Sequence, residues 1–169
     1  MPHDARAIAN FLLDRAQQQG IKLTHLSLQK ILYFAHAWYL AKYDRPLLGQ
    51  KFEAWKFGPV IRVVFDQLKS QKDRIIEERL LKIDVVSGKM AEATCDISSE
   101  DQKFIDSIFS YYASFDAGKL VDLTHEKGGP WEKVWKSAAE RSVVGMYIPD
   151  ESIRLWILRE GGREGLIRH

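Results

Sequence analysis

The chain reads as a mainly α-helical protein, a single compact domain with a small β-hairpin or extended excursion. Three observations predict this. Residues 28–41 are apolar on almost every side of a helix, as expected of an element surrounded by others. Apolar residues at i, i+3, i+4 spacing recur from one end of the sequence to the other. Period-two alternation is confined to two short stretches, 52–57 and 81–95, the second divided by Ser87-Gly88.

Asp4 is placed to cap a first helix running to about Gln19, with Ile8, Phe11, Leu12 and Ala16 inward and Gly20 as terminator. Thr24 or Ser27 caps the central helix, whose main stripe is Leu28, Ile31, Leu32, Ala35, Trp38 and Tyr39. A second stripe of Gln29, Tyr33, His36 and Leu40 is amphipathic rather than charged. Asp44-Arg45-Pro46 ends this helix, since the residue before proline avoids helical angles. Phe52 to Phe57 alternates as a short extended segment. Gly58-Pro59 then predicts a rigid corner with Pro59 at the first position of a helix, whose stripe is Val60, Ile61, Val64, Phe65 and Leu68.

Residues 70–79 form a charge-mixed connector, and 81–86 and 90–95 pair as a hairpin about Ser87-Gly88. Ser99 and Gln102 have the spacing of a capping box before the face Phe104, Ile105, Ile108, Phe109 and Tyr112. Asp116 caps a short helix through His125, Gly128-Gly129-Pro130 breaks it, and Pro130 opens the helix carrying Trp131, Val134 and Trp135. Pro149 starts the last, with Ile153, Trp156 and Ile157 inward. There is no internal repeat, low-complexity tract or domain linker. The expected organisation is one domain over 1–160 and a solvated tail over 161–169.

At 169 residues and 46% hydrophobic content, one domain with its own core is expected. No run of 18 apolar residues is present, and the first residues lack the basic and apolar regions of a secretion signal. Cys95 is the single cysteine, so no intrachain disulfide can form; it reads as a packing thiol in a reducing cytoplasm. Basic and acidic residues number 25 and 23, and removing 153–169 leaves 21 of each sign. A nucleic-acid binder of this size usually carries a denser basic face.

The order of motifs resembles the Panacea-domain family, the GepA-like and SocA-like group of phage-associated antitoxin proteins. The resemblance rests on Leu28-Gln29-Lys30-Ile31-Leu32-Tyr33, Pro46-Leu47, Glu53-Ala54-Trp55, Gly58-Pro59-Val60, Leu123-Thr124-His125 and Pro130-Trp131. Gly128-Gly129 and the stretch after Pro149 look like local variations. The resemblance implies a helical, non-enzymatic antitoxin of a toxin–antitoxin pair, which neutralises a toxin by direct protein–protein binding or delivers it to a ClpXP-type protease.

The residues agree with binding. None of the five histidines forms the i, i+4 pair of a helical metal site, and no Walker, dinucleotide-glycine or G-x-S-x-G pattern occurs. No cofactor or metal is expected. Two competing readings remain: a DNA-binding regulator using a helix-turn-helix at 60–68, and a small metal-dependent hydrolase using His36 and His125-Glu126. Each tryptophan lies on a plausible core stripe, yet tryptophan, tyrosine and arginine are also the usual anchors of interfaces. The candidate partner-binding residues are Tyr33, His36, Trp55 and Lys56, which combine an apolar body with a polar tip. Gly58 and Pro59 shape that surface.

Overall fold

The computed structural model describes residues 1–140 and 146–160, Glu140 by its backbone alone. The expected tail over 161–169 lies outside the described residues. The elements run α1 (Ala5–Gln19), α2 (His25–Tyr43), β1 (Glu53–Trp55), β2 (Gly58–Val60), α3 (Arg62–Leu68), β3 (Leu81–Ile83), β4 (Met90–Glu92), α4 (Ser99–Tyr112), α5 (Ala117–Thr124), α6 (Pro130–Glu140) and α7 (Asp150–Glu160). The architecture is mainly α, with two small antiparallel sheets.

The all-apolar helix is the spine, as its composition predicts. Every residue from Leu28 to Leu40 is buried, because α1, α3, α4, α5, α7 and β2 all pack against α2. The Thr24 hydroxyl accepts the Ser27 N–H at 3.3 Å to cap its start. The polar members of the second stripe are tied down within the core. His36 Nδ1 accepts the Leu48 N–H at 3.2 Å, which leaves Nε2 as the protonated nitrogen facing Asp150 of α7 at 3.0 Å. One ring thus fixes both the turn after α2 and the start of the last helix. Trp38 Nε1 donates to the Tyr112 hydroxyl at 2.7 Å, and Phe34 stacks on Tyr112 with centroids 4.1 Å apart.

Caps fall close to the expected places. Asp4, Asp116 and Gly20 act as predicted, but α4 is capped by Ser98 rather than Ser99. The Ser98 hydroxyl accepts the Asp101 N–H at 3.1 Å, and the Gln102 side chain donates to the Ile97 carbonyl at 2.8 Å instead of closing the expected capping box.

Proline 59 departs from expectation. Gly58, Pro59 and Val60 are strand β2, paired antiparallel with β1 in the register Glu53↔Val60, Ala54↔Pro59 and Trp55↔Gly58, and helix α3 opens only at Arg62. Ile61 stays extended as the N-cap residue of α3: Gln29 Oε1 accepts its N–H, and its carbonyl accepts both Gln29 Nε2 and the first helical N–H, from Phe65 at 3.0 Å. The helix-turn-helix imagined over 60–68 therefore shrinks to a seven-residue helix. The other edge of β1 is covered as well: Ala54 N–H donates to the Met146 carbonyl at 2.9 Å and Ile148 N–H to the Phe52 carbonyl at 2.8 Å.

The expected hairpin forms as β3 and β4, with Leu81 facing Glu92 and Ile83 facing Met90. Its base is held by buried Asn10 of α1. The Asn10 amide donates to the Leu80 and Ala93 carbonyls at 2.9 and 3.0 Å and accepts the Leu80 N–H at 2.8 Å. Asn10→Leu strands two buried backbone groups, the Leu80 N–H and the Ala93 carbonyl, since the Leu80 carbonyl still accepts the Ala93 N–H at 2.9 Å. It is expected to lower unfolding stability by about 2–3 kcal/mol in urea titration, whereas an unchanged midpoint would show that the hairpin base finds other partners.

Candidate functional site

The site grows from two adjacent residues of α2. In the first turns of this helix, Gln29 and Lys30 are polar residues inside an apolar stripe, so each must find a partner in the core. Both find the β2 corner. Ile61 N–H donates to Gln29 Oε1 at 2.9 Å, Gln29 Nε2 donates to the Ile61 carbonyl at 3.1 Å, and Lys30 Nζ donates to the Pro59 carbonyl at 2.8 Å. Proline cannot give an N–H to a sheet, but its carbonyl is free to accept. The Leu-Gln-Lys and Gly-Pro-Val motifs, distant in sequence, are thus two halves of one clamp.

Gly58 is required where the clamp closes. Its φ of 104° suits glycine, and a Cβ there would stand 2.5 Å from Thr124 Oγ1 and 2.8 Å from Lys30 Cε. Thr124 comes from the Leu-Thr-His motif, so a third motif meets the other two at this point. Next to it, the His125 ring stacks on Trp131 at 3.7 Å, and Trp131 Nε1 donates to the Trp55 carbonyl at 2.7 Å. The Pro-Trp motif therefore holds the other strand of the same corner.

The outer side of the corner is electrostatic and aromatic. Buried Glu53 receives a two-pronged ion pair from Arg62, each contact 3.0 Å. The Arg62 guanidinium also lies 5.2 Å over the Trp55 ring, whose other neighbour is Phe65 at 4.6 Å. At the turn, Lys56 and Phe57 project outward. Phe57 is 58% exposed, and Tyr147, on the segment paired with β1, is 65% exposed.

The sequence candidates thus divide. Lys56 lies on the surface, Trp55 is half-buried, and Gly58 and Pro59 are buried in the clamp. Tyr33 and His36 are buried, Tyr33 against Phe34 and Phe52 and His36 between Leu48 and Asp150. His36 and His125 are engaged by different neighbours, and among the described residues no three potential ligands are grouped to hold a metal ion. Sequence reasoning missed Phe57 as the exposed apolar tip and gave Lys30 no role. A signal for Lys30 was present: a lone ammonium in an apolar helix, with Leu26 and Phe34 one turn away on either side.

Burial without a counter-charge pulls the Lys30 ammonium from 10.5 down to about 7. Burial, and secondarily the Lys30 charge, pulls His25 from 6.5 to about 4. The same two causes lower His125. The corner therefore favours neutral bases. Between about 7 and 10.5 the unfolded chain binds a proton at Lys30 that the folded chain releases, so stability rises with pH across that window. The expected slope is at most about 1.4 kcal/mol per pH unit, measured by urea unfolding at pH 7 to 9.5, and it should vanish in Lys30→Met. A pH-independent wild type would contradict the buried ammonium.

Comparison with known proteins follows the same blocks. Residues 28–132 match the family model described as Antitoxin SocA-like, Panacea domain. The antitoxin SocA of Caulobacter vibrioides (strain NA1000 / CB15N) is 36% identical over 151 residues, covering 89% of this chain and 80% of that protein. No solved structure matches the chain.

Proposed function

This chain belongs to the SocA-like antitoxin family with a Panacea domain, and from that premise we propose that it neutralises a cognate toxin by binding it directly in the cytoplasm, without catalysis of its own. The observation that supports this reading is the clamped corner. A turn that carries exposed Phe57 beside Lys56 is held from behind by Gln29, Lys30 and Trp131. A surface that is rigid before binding loses little entropy when a partner arrives. Aromatic side chains, phenylalanine among them, are enriched in interface cores, with charged residues such as Lys56 suited to the rim. Trp55 contributes from beneath, through its contacts to Phe65 and Arg62, and Gly58 and Pro59 set the angle of the turn.

In this mechanism the corner covers the toxin's active or substrate-binding surface. Delivery of the bound toxin to a protease of the ClpXP type would use the same recognition step. It is read separately, as a toxin half-life that shortens when the antitoxin is present.

The experiment is affinity purification of the tagged chain from its own host at native level, followed by expression of any equimolar partner alone. The expected result is a protein that arrests growth alone and is relieved by co-expression of this chain. Lys56→Glu combined with Phe57→Ala should abolish relief and weaken binding at least about tenfold, as the loss of an interface anchor does, with the far-UV spectrum unchanged. Full relief by the folded double variant would retire this surface, and a partner without growth effect would retire the antidote reading.

A further inference from the structure

The β3–β4 hairpin carries the largest gathering of exposed apolar side chains among the described residues: Leu81, Ile83, Val85, Val86 and Met90. The register sets Ile83 opposite Met90 and Leu81 opposite Glu92, so these four side chains share one face of the ribbon. Ile83 and Met90 are 63% and 56% exposed, so that face is bare. A two-stranded ribbon is marginal as a sheet, and a third strand or a covering helix is what completes one.

The two edges of the ribbon are treated differently. Gln67 of α3 closes the β3 edge: its side-chain carbonyl accepts the Leu81 N–H at 2.8 Å and its amide donates to the Leu81 carbonyl at 2.7 Å. The β4 edge has no such cover. Ala93 N–H donates to the Leu80 carbonyl at 2.9 Å and Asp84 N–H to the Lys89 carbonyl at 2.8 Å. By the alternation of an antiparallel ladder, Met90 and Glu92 therefore turn their N–H and C=O groups away from β3. The sheet has two strands only, and among the described residues no group outside it bonds the backbone of Met90 or Glu92. The turn beyond is rigid, since the Asp84 carboxylate accepts the Val86 and Ser87 N–H groups at 3.1 and 2.7 Å.

An open edge beside a bare apolar face is covered by extended backbone, which supplies both the missing hydrogen bonds and the missing side chains. An antiparallel strand laid along β4 exchanges two bonds with Met90 and two with Glu92. A second copy of this chain suits the edge poorly. Two-fold pairing about Ala91 sets Met90 against Glu92, pairing about Glu92 sets like charges together, and pairing about Met90 runs into the turn. We propose that the β4 edge receives an extended segment of the toxin as a third, antiparallel strand, with a basic side chain opposite Glu92 and an apolar one opposite Met90. This rests on the antidote reading and adds a second contact to the Lys56-Phe57 turn.

The test is amide hydrogen exchange of the intact chain, alone and with the captured toxin. The Met90 and Glu92 amides should exchange freely in the chain alone and at least about tenfold more slowly in the complex. Glu92→Pro removes an N–H that the hairpin does not use. It should weaken the complex at least about tenfold, with the Ala93 amide still protected as in wild type. Glu92→Thr keeps that N–H and should cost no more than about fivefold. Unslowed Met90 and Glu92 amides in the complex, or wild-type affinity in Glu92→Pro, overturns the proposal while the antidote reading stands. If no toxin is captured, that reading fails, and the free chain is titrated with the capped peptide Thr-Val-Lys-Thr-Ile-Val-Thr. Saturable protection of the same two amides then keeps the strand site, and its absence overturns it.

Discussion

The hydrogen bonds from Gln29 and Lys30 to the backbone of Ile61 and Pro59 are the constraint on which the rest of the corner depends. A buried amide or amine without a partner costs on the order of 1–3 kcal/mol, so the helix cannot be inserted into this core unless the β2 segment lies across it in one register. Slipping the strand by one residue would turn every side chain to the other face and remove both acceptors. The same contacts explain why Ile61 is extended, why α3 starts late and why Gly58 has no room for a side chain. The angle at which Lys56 and Phe57 leave the surface follows from this register.

The central helix does two jobs with one set of residues. Its apolar residues form the core, and its polar members staple neighbouring segments. His36 belongs to the staples: with Leu48 on one nitrogen and Asp150 on the other, it joins the turn after α2 to α7. The chain thus builds its candidate binding turn between two short paired strands rather than on a long loop, as the proposed recognition of a partner requires.

Much of this was legible in the sequence because it depends on local rules. Helix periodicity, the caps at Asp4, Thr24 and Asp116, the glycine stop at Gly20 and the Ser87-Gly88 hairpin all follow from residue type and spacing. The departures are places where a distant side chain overrode local preference. Pro59 is a good first residue of a helix, yet Gln29, 32 residues before Ile61, holds the following backbone extended. Tyr33 and His36 have the amphipathic character of contact residues, but their polar ends point inward, and nothing in a single helix's pattern says which neighbour will cover it. Trp131 shows the same limit: its side chain reaches the Trp55 carbonyl 76 residues away.

If the clamp governs the corner, its backbone should be among the best-protected parts of the molecule, and at Ile61 that protection should depend on Gln29. Amide hydrogen exchange of wild type and Gln29→Leu, followed residue by residue, measures this directly. Ile61 and Ala54 amides should exchange slowly in wild type and lose at least about tenfold in protection in the variant, a change of about 1.4 kcal/mol in local opening, while α2 amides after Ile31 remain protected. Unchanged protection at Ile61 in a folded Gln29→Leu chain would contradict the account, because the corner would then be held without the Gln29 bonds.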